Sequence, residues 1–319
     1  MRISGFTIGK NVHKLYYPIK QAIESILPIV DEFVVALGDS DEDDKTHAEI
    51  LSIGSDKIKI VDTVWDIKKY PRGMEHAHQT DIAKSHCSGD WLFYLQSDEV
   101  IHEKYLPIIQ QRCKEFLDDR EVEGMLFDYL HFWGDYDHFQ DGHCWYRKEI
   151  RIIRNLPQIH SWESAQSFRK IPDFDQLNYR QQENTFKLKV VDSGATVYHY
   201  GWVRPPALMQ SKIKVFNTNH QKNFSDNLVV KQEEKPAPFD YGNLNYLSRF
   251  QETHPLVMKQ WMSRFDWKHQ LRYSGQRNTT SDLIHKHEKT KYRIISWIEK
   301  NVLFNRRLGE FKNYILLKR

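Results

Sequence analysis

Residues able to do chemistry first gather in Gly89-Asp90-Trp91-Leu92-Phe93-Tyr94-Leu95-Gln96-Ser97-Asp98-Glu99, where a hydrophobic run ends on two adjacent carboxylates. Carboxylate oxygens delivered to a strand end suit Mg²⁺ or Mn²⁺, hard cations that can in turn hold phosphates. The same segment also reads as a strand-to-helix turn whose aspartate caps the next helix. A second segment, Val197-Tyr198-His199-Tyr200-Gly201-Trp202-Val203-Arg204, offers an imidazole nitrogen and a guanidinium able to grip an oxyanion through two oxygens. His199 also reads as a partly buried histidine bonding its neighbours.

Such groups must be positioned by strands and helices, and the sequence alternates between the two. Ile3–Ile8, Phe33–Leu37, Ile58–Val61 and Trp91–Leu95 are short apolar runs bounded by Gly or turn residues. Between the first two, Leu15, Ile19, Ala22, Ile23 and Ile26 recur at helical steps, and Met74–His86 reads as a further helix. Strands joined by helix-length crossovers predict an α/β fold with a mostly parallel sheet covered on both faces. Ligands then bind beyond the carboxyl ends of the strands, at Thr7–Asn11, Asp39–Asp44 and Gln96–Glu99. Further on, a helix is expected over Glu103–Leu117 and strands at Met125–Phe127 and Ile150–Ile153. Lys187–Val191 and Thr196–Tyr200 are expected to form a strand pair turned by Asp192-Ser193-Gly194. Residues 207–319 look helical and polar, with their internal loop expected over Asp226–Tyr241.

Composition removes several classes of function. With 40% apolar residues and 13% aromatics the chain is not disordered. Its apolar runs are too short to cross a bilayer, and Lys10, His13 and Lys14 interrupt any signal-peptide core, so a cytoplasmic protein is expected. Cys87, Cys113 and Cys144 form no CxxC pair, which argues against disulfides and structural zinc. No phosphate-binding GxxxxGK[ST], dinucleotide GxGxxG or hydrolase GxSxG is present. The net charge of +3 hides an acidic front, net −8 over residues 1–206, and a basic back, net +11 over residues 207–319. His76/His78 and His285/His287 stand two apart, a spacing that sends helical side chains different ways, and read as solvated histidines.

Phe6-Thr7-Ile8-Gly9-Lys10-Asn11, then Asp39-Ser40-Asp41, then Gly89-Asp90-Trp91 leading to Gln96-Ser97-Asp98-Glu99 resemble, in this order, a family 2 glycosyltransferase of the GT-A type. The resemblance covers roughly 1–205. It implies a Rossmann-like catalytic domain, with a nucleotide-binding half at 1–99 and an acceptor-binding half at 100–205, followed by a basic, mainly helical extension at 206–319. It also implies a nucleotide-diphosphate sugar donor, a divalent metal and inversion at the anomeric carbon. Asp98 matches the second acid of the family's Asp-x-Asp motif; Gln96 replaces the first and can still bond a ribose hydroxyl or a metal-bound water. Thr7, Asn11 and Asp39 would frame the nucleoside, with Gln79 on the helix lining the donor site. His199 would join Asp98 on the metal, and Arg204 would meet the diphosphate. Asp39 also reads as an ordinary turn residue of an acidic loop.

Inversion needs a carboxylate to take the acceptor hydroxyl's proton. The resemblance places it near His160–Gln166, making Glu163 the candidate, with Asp135 and Asp192 as rivals. Trp133, Trp145 and Trp162 could stack an acceptor sugar, although most aromatics at this density are core. The implied setting is bacterial surface-glycan or lipopolysaccharide synthesis with a glycan or lipid-linked acceptor. A nucleotidyltransferase and a non-catalytic GT-A-like binding protein are the alternatives. Lys289–Arg319 carries nine basic residues against two acids among interleaved apolar residues. It fits an amphipathic helix on the anionic inner face of a membrane or, the favoured expectation, a helix docked on the catalytic domain; no nucleic-acid module accompanies the charge.

Overall fold

The computed structural model describes residues 1–219, 238–274, 284–304, 306–309 and 312–319. Its first half alternates β1 (Ile3–Gly9), α1 (Ile19–Ile26), β2 (Glu32–Leu37), α2 (Thr46–Leu51), β3 (Ile58–Asp62), α3 (Met74–Ser85) and β4 (Trp91–Tyr94), the anticipated order with α2 as an additional helix. β1 pairs in parallel with β2 and β4, and β2 with β3. β1 is buried throughout, as a strand covered on both faces must be. α1 starts later than its apolar stripe suggests, because Tyr16 adopts a left-handed conformation (φ 58°) that a continuous helix cannot contain.

The second half comprises β5 (Glu99–Ile101), α4 (Leu106–Glu115), β6 (Gly124–Trp133), β7 (His138–Gln140), β8 (Lys148–Arg154), β9 (Ile159–Trp162), β10 (Ser167–Lys170) and β11 (Phe186–Trp202). The main strand order is β3-β2-β1-β4-β8-β6-β11-β10-β9. Beyond β4 the neighbours are antiparallel except for the β6–β11 pair. The sheet is therefore mixed rather than mostly parallel. Several connections after β6 are short turns, which can join only antiparallel partners. The expected strand pair at 187–200 is instead the single strand β11, with a register irregularity between Asp192 and Thr196 where a turn was anticipated.

Residues after 205 contribute α5 (Pro206–Asn219), β12 (Ser248–Arg249), α6 (Lys259–Met262), α7 (Thr290–Asn301) and β13 (Tyr314–Leu316). This is not a purely helical extension: β12 pairs with β7, and β13 lies parallel to β11. Most of the loop expected over Asp226–Tyr241 lies outside the described residues.

Strand alternation splits the main core between the two faces of the sheet. Ile19, Ile23, Phe33, Phe93, Ile109 and Met125 pack on one face, and Phe6, Val34, Ala83, Leu92, Ile153 and Phe168 on the other. Arg154 is buried where α4 ends. It donates to the carbonyls of Phe116, Leu117, Asp119 and Val122 and stacks on Trp91, so β8 holds the otherwise unsatisfied end of the helix.

Candidate functional site

Asp98 sits between β4 and β5, on the rim foreseen for ligands. Ser97 Oγ donates to the Ile8 carbonyl at 2.8 Å, tying this turn to β1. Tyr200 N–H donates to the Asp98 carbonyl at 2.8 Å, and antiparallel pairing sets His199 opposite Glu99. Asp98 and His199 thereby converge from segments 101 residues apart, with Oδ2 and Nε2 3.5 Å from each other and both residues buried.

Gly201 permits this approach. A Cβ there would stand 2.6 Å from His199 Nε2 and collide with the Asp98 carboxylate. The tautomer chemistry follows from a neighbouring histidine. His131 Nε2 lies 2.8 Å from the Tyr146 carbonyl, which can only accept, so that nitrogen carries the proton. Burial, reinforced by His199, keeps His131 neutral, leaving its Nδ1 as an acceptor. His199 Nδ1, 3.0 Å away, is then the donor. Nε2 of His199 is left either protonated and paired with Asp98, or presenting a lone pair beside a carboxylate. A cation between the two satisfies the second arrangement.

Lys212 on α5 is the third charged group, its Nζ 3.8 Å from Asp98 Oδ2 and 2.6 Å from the Gly201 carbonyl. It lies over the Tyr17 and Trp202 rings. Burial and the nearby Arg204 push it down to about 7, against the pull of Asp98. Burial opposes the charge on Asp98, but His199, Lys212 and Arg204 together overcome it and hold the carboxyl well below its usual range. Sequence reasoning missed Lys212 and His131. The only signal for Lys212 is that Pro205-Pro206 must open a helix after the strand carrying His199. For His131 it is the in-register position beside His199 on β6.

The other expected residues occupy several places. Glu99 turns inward: Arg151 donates to it through Nε at 2.7 Å and Nη2 at 2.8 Å, and Tyr129 through its hydroxyl at 2.8 Å. The adjacent carboxylates thus face different surroundings. Gln96 donates from Nε2 to the Ala165 carbonyl at 3.0 Å, holding the turn that contains Glu163. Arg204 is fully buried; it donates to the carbonyls of Leu15 and Gly201 and stacks on Tyr17, buttressing the site from behind.

Asn11, Asp39 and Gln79 share one patch. Asn11 accepts from Asp41 N–H at 2.8 Å; Asp39 accepts from Trp65 N–H at 2.8 Å and pairs with Lys10 at 2.8 Å. Gln79 donates to Glu75 at 2.7 Å and to the Val64 carbonyl at 3.3 Å. Its Oε1 and the Trp65 Nε1 are buried without a protein partner. Thr7 lies deeper, inside β1, and its buried hydroxyl also lacks a protein partner.

Glu163 adopts a left-handed conformation (φ 57°) and pairs with Arg180 at 3.6 Å. Asp135 is buried, bound by His138 and by the Tyr273 hydroxyl at 2.8 Å, and Asp192 is bound by Lys148 at 2.7 Å. Trp133 and Trp162 are buried; Trp202, stacked on Trp133 at 4.8 Å, is partly exposed beside Lys212, as is Tyr17. His285 and His287 are not freely solvated: their rings stack on each other and pack against Trp133.

No family model matches the chain, and no curated protein matches it. Among solved structures it is similar to glucosyl-3-phosphoglycerate synthase from Mycobacterium tuberculosis in complex with Mn²⁺, UDP and phosphoglyceric acid. The identity is 19% and the TM-score 0.29, over 41% of this chain and 43% of that one. A complex of the same enzyme with Mg²⁺ and UDP gives the same values. The alignment spans less than half of either chain, and a likeness of this extent establishes neither a family nor an activity.

Proposed function

We propose that the chain is a metal-dependent glycosyltransferase that moves a sugar from a nucleotide-diphosphate donor to an acceptor hydroxyl with inversion. The observation carrying this is the convergence of the Asp98 and His199 side chains, 3.5 Å apart, in a gap that Gly201 keeps open at the strand-end rim. One oxygen and one imidazole nitrogen suit Mg²⁺ or Mn²⁺. Among the described residues no third His, Cys, Asp or Glu completes a metal cluster, so Asp98 and His199 are the residues that would hold the ion. A cation held there would supply charge neutralisation for the departing diphosphate.

The chain's own residues do the rest. Lys212 adds a positive charge at the same gap, Arg204 fixes the backbone on which Gly201 lies, and Asn11, Asp39 and Gln79 frame the nucleoside. Glu163, on the turn tethered by Gln96, takes the proton from the acceptor hydroxyl. The tether and the partly exposed Arg180 pair support that assignment.

Calorimetry with UDP and GDP, with and without Mn²⁺, tests the proposal: binding that needs the metal is expected, and its absence for every nucleoside diphosphate would overturn it. Asp98→Ala is expected to abolish both metal-dependent binding and donor hydrolysis. Glu163→Gln is expected to leave donor binding intact while transfer falls by at least about a hundredfold, the usual scale of a lost general base. A non-catalytic binding protein is the second reading, favoured by Gln96 standing where the resembled motif has an acid. It predicts nucleotide binding with no donor hydrolysis under any metal.

A further inference from the structure

A helix lying on a water-soluble protein buries its apolar stripe and exposes its polar face. α7 does the reverse. Its fully buried residue is Glu299 (0% exposed), while Ile294 and Trp297 are 54% and 59% exposed. Ile294 and Trp297 are three apart and therefore share one face. Just past the helix, Val302, Phe304 and Leu308 continue the exposure, Phe304 reaching 88%.

The inward face is held by polar contacts that fix this orientation. Glu299 accepts from His143 at 2.6 Å, from Arg307 at 2.8 Å and from Leu308 N–H at 2.8 Å. Ser296 Oγ accepts from His143 N–H at 3.0 Å, and Lys300 pairs with Asp141 at 2.5 Å. Turning the helix to bury Trp297 would break all of these and leave a carboxylate stripped of partners. The outward apolar face is thus built in.

The charge around that face selects what covers it. Lys286, Lys289, Lys291 and Arg306 are exposed beside it, whereas Glu299 is turned inside and Glu288 is paired with Arg272 at 2.9 Å. Arg293 stacks on Tyr246 at 4.1 Å, adding a half-exposed tyrosine to the rim. Exposed Trp, Ile and Phe surrounded by lysine and arginine match a bilayer surface, whose acyl boundary takes the apolar groups while anionic headgroups take the cations. Trp and Tyr favour this depth because each has an apolar body and a polar tip.

We propose that α7 and the segment following it form a monotopic docking face for an anionic membrane. The face also lies near the candidate site. His143 on the α7 contact is next but one to Trp145, whose ring lies 4.9 Å from His131, the partner of His199. Those contacts lie on the inward side of α7, and docking uses its outward side. It stands independently of the glycosyl-transfer proposal, since binding requires no donor.

The test is co-sedimentation of the full chain with phosphatidylcholine vesicles and with vesicles containing about 30% phosphatidylglycerol. Binding to the anionic vesicles alone, weakened by 0.5 M salt, is expected. The double variant Ile294→Ser/Trp297→Ser, altered only at exposed positions, should bind at least about tenfold less with unchanged circular dichroism, and Lys289→Glu/Lys291→Glu should do the same. Equal binding by wild type and both variants, or no binding to anionic vesicles, would overturn the proposal. So would a concentration-dependent dimer in light scattering that the serine variant dissolves, because the face would then belong to a second copy.

Discussion

At the residue scale the decisive feature is how little room separates Asp98, His199 and Gly201. Gly201→Ala should push the carboxylate and the imidazole apart while leaving the strand formed. Metal-dependent nucleotide binding is expected to weaken by about tenfold or more, with the far-UV spectrum unchanged; unchanged affinity would show that the gap is not the ligand site. Lys212→Met should weaken diphosphate binding in a salt-sensitive way, because it removes charge without volume. The convergence of Asp98 and His199 was legible in part, because each follows a hydrophobic run, although His199 lies inside β11 rather than at its end. Lys212 and His131 were not. One lies on a helix whose return to the rim is a tertiary fact, and the other is marked only by its register with a strand 68 residues away. Glu99 was misjudged for the same reason: it opens β5 while Asp98 stays in the turn, and its buried partner Arg151 comes from 52 residues further along the chain.

Elements show a similar division. The first four strands, with α1 and α3, were readable because each strand is a short apolar run bounded by turn residues. β1, β2 and β4 are buried, whereas the edge strand β3 is only partly covered, and α2 left no helical period to read. The second half hides its order, since β6, β8 and β11 meet through sequence separations that no local period reports. Arg151 and Glu99, both buried, join β8 to β5 at the centre of that mixed region. Removing one partner leaves a buried charge, so Arg151→Met is expected to cost about 3–5 kcal/mol in urea denaturation. Arg151→Met/Glu99→Leu should recover part of that loss, because no charge is then stranded. A single-variant cost below about 1 kcal/mol would mean that water reaches the pair.

For the whole molecule, stability should depend on acidity through histidines kept neutral by packing. Burial pushes His254 down to about 4, against a bond from its ring to the Tyr136 carbonyl; burial beside His285 pushes His287 to about 4 as well. An unfolded imidazole titrates near ~6.5. Between about 6.5 and 4 the unfolded chain takes up protons that the fold refuses, so stability falls as pH drops, by up to ~1.4 kcal/mol per unit for each such group. Urea midpoints from pH 7 to pH 4.5 should show this decline, and His254→Gln should make it shallower. An identical slope in the variant would place the sensitivity elsewhere. The basic surplus of the back half, visible in composition alone, gained a meaning only when α7 was seen to turn its apolar side outward.

β11 has a consequence for the order in which the molecule is made. Along one edge it is matched in turn by β10, β13 and β5, and β13 belongs to residues 314–316. During synthesis the chain emerges from its amino end, so β1 to β11 can assemble while Leu188–Val190 still lacks the neighbour supplied by Tyr314–Leu316. Until that segment leaves the ribosome, a buried strand is held with an open edge, the state most prone to pairing with another nascent chain. The long-range closure of β11 by β13 should therefore be a late step, and slowing translation over residues 206–313 should raise the aggregated fraction without altering the protein that does fold.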